Sequence, residues 1–182
     1  MVKAFSYGSG TVEVAKLLEF HKINYLGVAY ADEGIVLRKA GIHLPIMVMN
    51  PELDTYSELI AYGLEPEIFN LNRLKLFGQA VKDHAGKKDF PIHIKLETGM
   101  NRLGFCLEDL PMLFEELDQS PELKVRSAFS HLAASDEPSE KEFTVGQIDM
   151  YAELCAIIES KIGYSFTKHL SNSGGITKYP EA

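Results

Sequence analysis

Pro91-Ile92-His93-Ile94-Lys95-Leu96-Glu97 carries the two-residue alternation of a β-strand. Ile92, Ile94 and Leu96 point one way, and His93, Lys95 and Glu97 the other. The loop Thr98-Gly99-Met100-Asn101-Arg102 follows, and then Leu110, Leu113, Phe114 and Leu117 take the i, i+3, i+4, i+7 spacing of an amphipathic helix. Strand, loop and helix make one unit, and the unit recurs on both sides. Upstream, Tyr25 to Tyr30 reads as a buried strand, with a helix from Asp32 to Ala40 closed by Gly41. Pro45 to Asn50 is the next strand, and Pro51-Glu52 suits a helix start. Leu64 to Phe69 is a poorer strand shortened by Pro66, and Leu74, Phe77 and Val81 share a helical face. Downstream come a strand over Lys124 to Leu132, a polar connection from Ser135 to Glu142, and the longest helix, marked by Ile148, Tyr151, Cys155, Ile158 and Ile162. Phe166 to Leu170 is the last strand.

With a short start at Val2-Lys3-Ala4, about seven strands alternate with helices. Repeated βα units imply a parallel sheet with helices on its faces. Without a Gly-rich Rossmann turn, the pattern favours a TIM-type (β/α)8 barrel of class α/β. Such a barrel needs eight strands and about 250 residues. The chain has 182, so an incomplete barrel of about seven of the eight units is expected. The length prior gives one domain.

A formal charge of −8 argues against nucleic-acid binding, which needs basic surface to neutralise phosphates. Cys106 and Cys155 form no CxxC and fit a reducing compartment. No run has the length of a membrane span and no secretory pattern opens the chain, so no membrane partner and a cytoplasmic location are expected.

In such a barrel the chemistry sits at the C-terminal strand ends and in the loops after them. Lys3 and Tyr7 follow the first strand, and Lys95 and Thr98 to Arg102 belong to the fifth. His131, Asp136 and Glu137 follow the sixth, and Asn172, Ser173, Gly174 and Gly175 the seventh. An amine at a strand end, beside the Gly8-Ser9-Gly10 turn and a helix start at Thr11, suits a Schiff-base lysine next to a phosphate. That points to pyridoxal 5'-phosphate. Small residues from Ser171 to Gly175 let backbone N–H groups approach an anion, and Ser173 adds a hydroxyl. The same string also makes an ordinary helix cap. Taken singly, Lys3 also fits a snorkelling lysine, Arg102 a surface arginine, and His131 a hydrogen-bonded structural histidine. His131, Asp136 and Glu137 match no strong metal-ligand spacing, and no metal is expected. Asp32-Glu33 and Glu115-Glu116 read as solvated helix faces.

Four ordered strings together resemble the alanine racemase family. Lys3-Ala4-Phe5-Ser6-Tyr7-Gly8-Ser9-Gly10 is similar to its cofactor-lysine signature Lys-Ala-x-x-Tyr-Gly-x-Gly. Lys95 to Gly104 resembles Lys-x-Asp-Thr-Gly-Met-x-Arg-Leu-Gly, with Glu97 where the family has Asp. Ser130 to Glu137 resembles its His-x-Ala-x-Ala-Asp-Glu stretch, and His169 to Ser173 its Asn-Ser segment. The first segment is also similar to the racemase half of a bacterial fusion with a peptidoglycan ligase.

The resemblance implies interconversion of L- and D-alanine by two bases, supplying D-alanine for peptidoglycan. Lys3 would hold the cofactor aldehyde and act as one base at the substrate α-carbon. Tyr7, Asn172 and Ser173 would bind the cofactor phosphate. Arg102 would contact the cofactor's phenolic oxygen and steer the substrate carboxylate. Lys95 would support Arg102 as a carbamate (N6-carboxylysine), which turns a buried cation into an anion. His131 would hydrogen-bond an arginine beneath the pyridine nitrogen. In the family that arginine lies on the final barrel strand, and the opposing base is a tyrosine from the C-terminal β domain of the partner subunit. Residues 1–182 are therefore expected to be a partial barrel domain, inactive alone, of a homodimeric enzyme. A pyridoxal-phosphate carrier of the same fold and a racemase for serine or lysine are the competing readings. The Thr98 to Arg102 segment resembles racemases more.

Overall fold

The computed structural model describes residues 1–84 and 88–180. Lys3–Tyr7 forms a short coil, α1, and α2 spans Thr11–Phe20. Strands and helices then alternate: β1 (Leu26–Val28), α3 (Ala31–Lys39), β2 (Ile46–Val48), α4 (Tyr56–Tyr62), β3 (Glu65–Ile68), α5 (Leu71–Asp83) and β4 (Phe90–Lys95). They continue with α6 (Leu110–Gln119), β5 (Leu123–Phe129), α7 (Lys141–Ile162), β6 (Thr167–His169) and α8 (Ser173–Lys178). The six strands are parallel and neighbour one another in chain order, β1 to β6. A sheet that always adds its next strand to the same edge, with a helix covering each step, curls toward a barrel. The result is an incomplete TIM-type barrel.

The strand register explains the sequence pattern. Leu26 lies opposite Ile46, Val28 opposite Val48, Val48 opposite Pro66, Ile68 opposite Ile94, and Ile94 opposite Ala128. This continuous apolar face is buried, as are Leu37, Leu59, Leu74, Phe77, Leu113 and Ile158 on the helices. Each such side chain contributes roughly 1.5–3 kcal/mol by leaving water. Helix boundaries follow local chemistry. Asn70 caps α5 by accepting the Arg73 amide at 2.9 Å, and α7 ends on Gly163 in the left-handed region at φ 77°.

One expectation fails at the start. Val2-Lys3-Ala4 is not a strand. Val2 is buried and its N–H donates to the Gly27 carbonyl at 2.8 Å, so only this residue joins the sheet edge. The chain then winds left-handed, with φ of 51°, 55°, 49° and 54° at Ala4, Phe5, Ser6 and Tyr7. Left-handed winding costs L-residues roughly 1–2 kcal/mol each, so the surroundings must impose it. Six strands are formed among the described residues, not seven.

Arg38 clamps the other end of this region. Its guanidinium donates to the carbonyls of Ile42 and Leu44 at 2.9 and 2.7 Å, and to those of Tyr62 and Gly63 at 3.0 and 3.1 Å. It thereby ties the end of α3 to the entry of β2 and to the end of α4. Arg38→Met should lower the unfolding free energy by about 1.5–3 kcal/mol, read as a fall in the urea midpoint at unchanged slope.

Candidate active site

The left-handed coil places Lys3 at the C-terminal side of the strands. Glu33 holds it there: its carboxylate accepts the amide of Ala4 at 2.7 Å through Oε1 and that of Ala29 at 2.7 Å through Oε2. Glu33 was expected to be a solvated helix acid. It is instead the brace between the residue after Lys3 and the end of β1. Tyr7, at the far end of the coil, is 70% exposed, with its ring open to solvent.

Arg102 stands on a loop that closes on itself. Beyond β4, Glu97 N–H donates to the Phe105 carbonyl and Phe105 N–H to the Lys95 carbonyl, both at 2.9 Å, with Leu96 bridged to Phe105. Gly104 makes this return possible. It sits at φ 133°, and a Cβ there would lie 2.6 Å from the Glu97 nitrogen. Inside the loop Glu97 accepts the amides of Gly99 and Arg102. Burial alone would raise the Glu97 carboxyl, but amides from Asn101, Gly99, Arg102 and Met100 together hold it below the usual range. The Arg102 side chain is left exposed.

The charges of Lys3, Lys95 and Arg102 converge on His131. Partial burial lowers the pKa of His131, and the three cations lower it further, Lys95 most, then Arg102, then Lys3. Lys95, Arg102 and Lys3 therefore lie near enough to His131 for their charges to act on it. Lys95 is buried on the inner face of β4, its Nζ 4.4 Å from the centre of the Phe129 ring.

Asn172 is used structurally. Its Oδ1 accepts the Gly175 amide at 2.9 Å and the Ser135 hydroxyl at 2.6 Å, and its Nδ2 donates to the Leu132 carbonyl at 2.9 Å. The helix-cap reading of this string therefore describes its side chain. Ser173 remains exposed, and the first-turn amides of α8 have no acceptor within the helix. Gly174 and Gly175 are required by close approach, since a Cβ on them would meet Ser135 Oγ at 2.8 Å and Leu132 Cδ1 at 3.0 Å. An exposed serine, the Ser173 and Gly174 amides and glycine-only clearance fit an anion such as a phosphate ester, and the Lys3 amine fits an aldehyde.

The inner face of the sheet holds residues that the sequence did not single out. Tyr25 donates its hydroxyl to Glu65, whose Oε2 also faces His93 Nε2 at 3.0 Å. His93 Nδ1 lies 2.6 Å from Ser127 Oγ, which lies 3.0 Å from His169 Nε2. The His169 ring stacks on Phe129, centroids 4.8 Å apart and planes within 5°. Although His169 belongs to an open edge strand, this flat packing desolvates the imidazole. That and the charges of His93 and Lys95 push its pKa down to about 4. The one signal in the sequence was the polar side of the strand at 91–97, His93 above all.

Alanine racemase, N-terminal domain, is the family whose pattern matches this chain, over residues 1–182. The chain belongs to the alanine racemase family. It is 33% identical over 187 residues to the alanine racemase of Treponema denticola, covering all of this chain and 48% of that protein. It is 34% identical to alanine racemase 2 of Caldanaerobacter subterraneus, over 97% of this chain and 45% of that one. Among solved structures, the alanine racemase of Clostridium difficile 630 superposes with a TM-score of 0.89 at 32% identity, covering 99% of this chain and 47% of that one. The chain spans about half the length of these relatives. Among the described residues no cluster of three or more His, Cys, Asp or Glu is placed to hold a metal, and no helix is long and apolar enough to cross a membrane.

Two outcomes test this geometry. Glu33→Ala should cost about 1–3 kcal/mol and speed hydrogen exchange at the Ala4 and Ala29 amides while leaving β4 and β5 protected. NMR titration of His131 should give a pKa below the ordinary histidine value. Arg102→Gln should raise it, because removing a neighbouring cation favours the imidazolium. No rise would show that the guanidinium does not act on His131.

Proposed function

We propose that this chain is the cofactor-binding barrel region of a pyridoxal-phosphate-dependent alanine racemase, which supplies D-alanine for cell-wall peptidoglycan. The observation that carries the reading is that Lys3, braced by Val2 on the sheet edge and by Glu33 on Ala4, shares the strand-end side of the barrel with Arg102 on its closed loop after β4 and with the Ser173 turn after β6. When bound, pyridoxal phosphate supplies an electron sink that stabilises negative charge at the substrate α-carbon.

The protein's own residues do the rest. Lys3 would carry the cofactor aldehyde and, once released, take or give the proton at the α-carbon of one alanine face. Its backbone is fixed by Val2 on the sheet edge and by Glu33 on Ala4, so the amine returns to one position. Ser173, the Ser173 and Gly174 amides at the start of α8 and the exposed Tyr7 hydroxyl would hold the phosphate, and Asn172 shapes that loop. Arg102, on its rigid closed loop, would orient the cofactor ring oxygen and the substrate carboxylate by charge-assisted hydrogen bonds. His131, whose pKa is lowered by burial and then by the surrounding cations, would accept a hydrogen bond from a donor beneath the ring.

The base for the opposite face is not among the gathered residues. We place it in the half of the longer relatives that this chain does not match, in a homodimeric cytoplasmic enzyme.

Borohydride reduction of the protein incubated with pyridoxal phosphate, followed by peptide mass mapping, should label Lys3. Lys3→Ala should abolish the label and, in a full-length form, lower D-alanine production by at least about a hundredfold. The 182-residue chain by itself should take the label and form no D-alanine. A label on another lysine, or unchanged turnover in Lys3→Ala, overturns the assignment.

A further inference from the structure

The loops that carry Arg102 and His131 are joined by a directed run of hydrogen bonds that starts at Gln147 on α7. Gln147 is 1% exposed. Its Oε1 accepts the Ala133 amide at 2.9 Å. Its Nε2 donates to the His131 carbonyl at 3.1 Å and, at the longer distance of 3.4 Å, to Thr98 Oγ1. A primary amide offers two N–H groups and one oxygen, so a single orientation of the side chain makes all three contacts.

Thr98 and Ser130, both buried, continue the run. Ser130 gives its hydroxyl proton to the Leu96 carbonyl at 2.8 Å, which can only accept, and so receives the Thr98 proton at 2.7 Å. Thr98 Oγ1 is then left to accept, as Gln147 Nε2 requires. Every proton has one place to go.

This run fixes backbone on both sides of the site. His131 and Ala133 flank Leu132, and Gln147 holds the two flanks. Thr98 opens the loop of Arg102, and the next residue packs on α7: a Cβ on Gly99 would lie 3.1 Å from the Phe143 ring and 3.6 Å from Gln147 Cγ. Irregular loops have no strand ladder to set their separation, and a buried amide supplies one of fixed length. We propose that Gln147 is a positioning residue of the site, which holds the backbone carrying His131 and, through Thr98, the loop carrying Arg102 as one unit.

This inference rests on reading Arg102 and His131 as parts of one site, but its test needs neither cofactor nor turnover, and labelling of Lys3 reports separately on the cofactor reading. Gln147→Met keeps the length of the side chain and removes all three bonds. Amide hydrogen exchange in it should quicken about tenfold or more at Ala133, Gly99 and Arg102 together, while the amides of β2 and β3 stay slow. Thr98→Val, which removes the hydroxyl and keeps the shape, should quicken Gly99 and Arg102 and leave Ala133 slow. Adding Thr98→Val to Gln147→Met should quicken Gly99 and Arg102 no further. The His131 imidazole, followed by NMR, should titrate closer to the ordinary histidine value in Gln147→Met, because a released ring gains water. A general loss of stability does not move that pKa.

Release of Ala133 alone in Gln147→Met confines Gln147 to the loop after β5 and overturns the proposal. Equal acceleration from β2 to β5 with the His131 titration unmoved also overturns it, as the mark of a residue that only adds stability. Should Gln147→Met fail to fold, Thr98→Val decides: unchanged exchange at Gly99 and Arg102 overturns the link between the loops.

Discussion

Polar side chains line the inside of the curled sheet, and inside a barrel wall an unpaired polar group costs about as much as several good contacts return. The run Tyr25–Glu65–His93–Ser127–His169 meets that constraint across five segments of chain. Ser127 has one hydroxyl proton to share between two imidazoles, so the tautomers of His93 and His169 are set together. The site above depends on this layer. Phe129, on the same strand as Ser127, is held between the Lys95 ammonium and the His169 ring, and Lys95 in turn acts on His131.

Two kinds of rigidity support the upper layer. At Arg102 it comes from a loop that returns to its own strand, with Gly104 allowing the contact and Glu97 filling the centre with carboxylate oxygens. At Lys3 it comes from long-range braces, Val2 to Gly27 and Ala4 to Glu33. The residues that touch ligands lie on irregular backbone, and the residues that fix that backbone lie on the regular elements beside it.

Most of the fold was legible because periodicity reports it. Ile92 and Ile94, or Leu74, Phe77 and Val81, face a core wherever the strands pair. The loop residues Lys3, Arg102, His131 and Ser173 were legible through motif spacing. Glu33, Glu65 and Ser127 were not, because their roles depend on which residue of a neighbouring strand or coil they meet. An acid on a helix looks the same in sequence whether it points at water or at a backbone amide. The left-handed coil was hidden for another reason: Ala4, Phe5 and Ser6 have no preference for that region, so only the tertiary braces hold them there.

A coil of this handedness also acts as a ruler. Each residue turns the chain by about 100°, so one inserted or deleted residue between Lys3 and Tyr7 would swing the tyrosine round to another side of the axis. Drift in length there is closed to this chain, whereas the surface turns joining its helices remain free to lengthen.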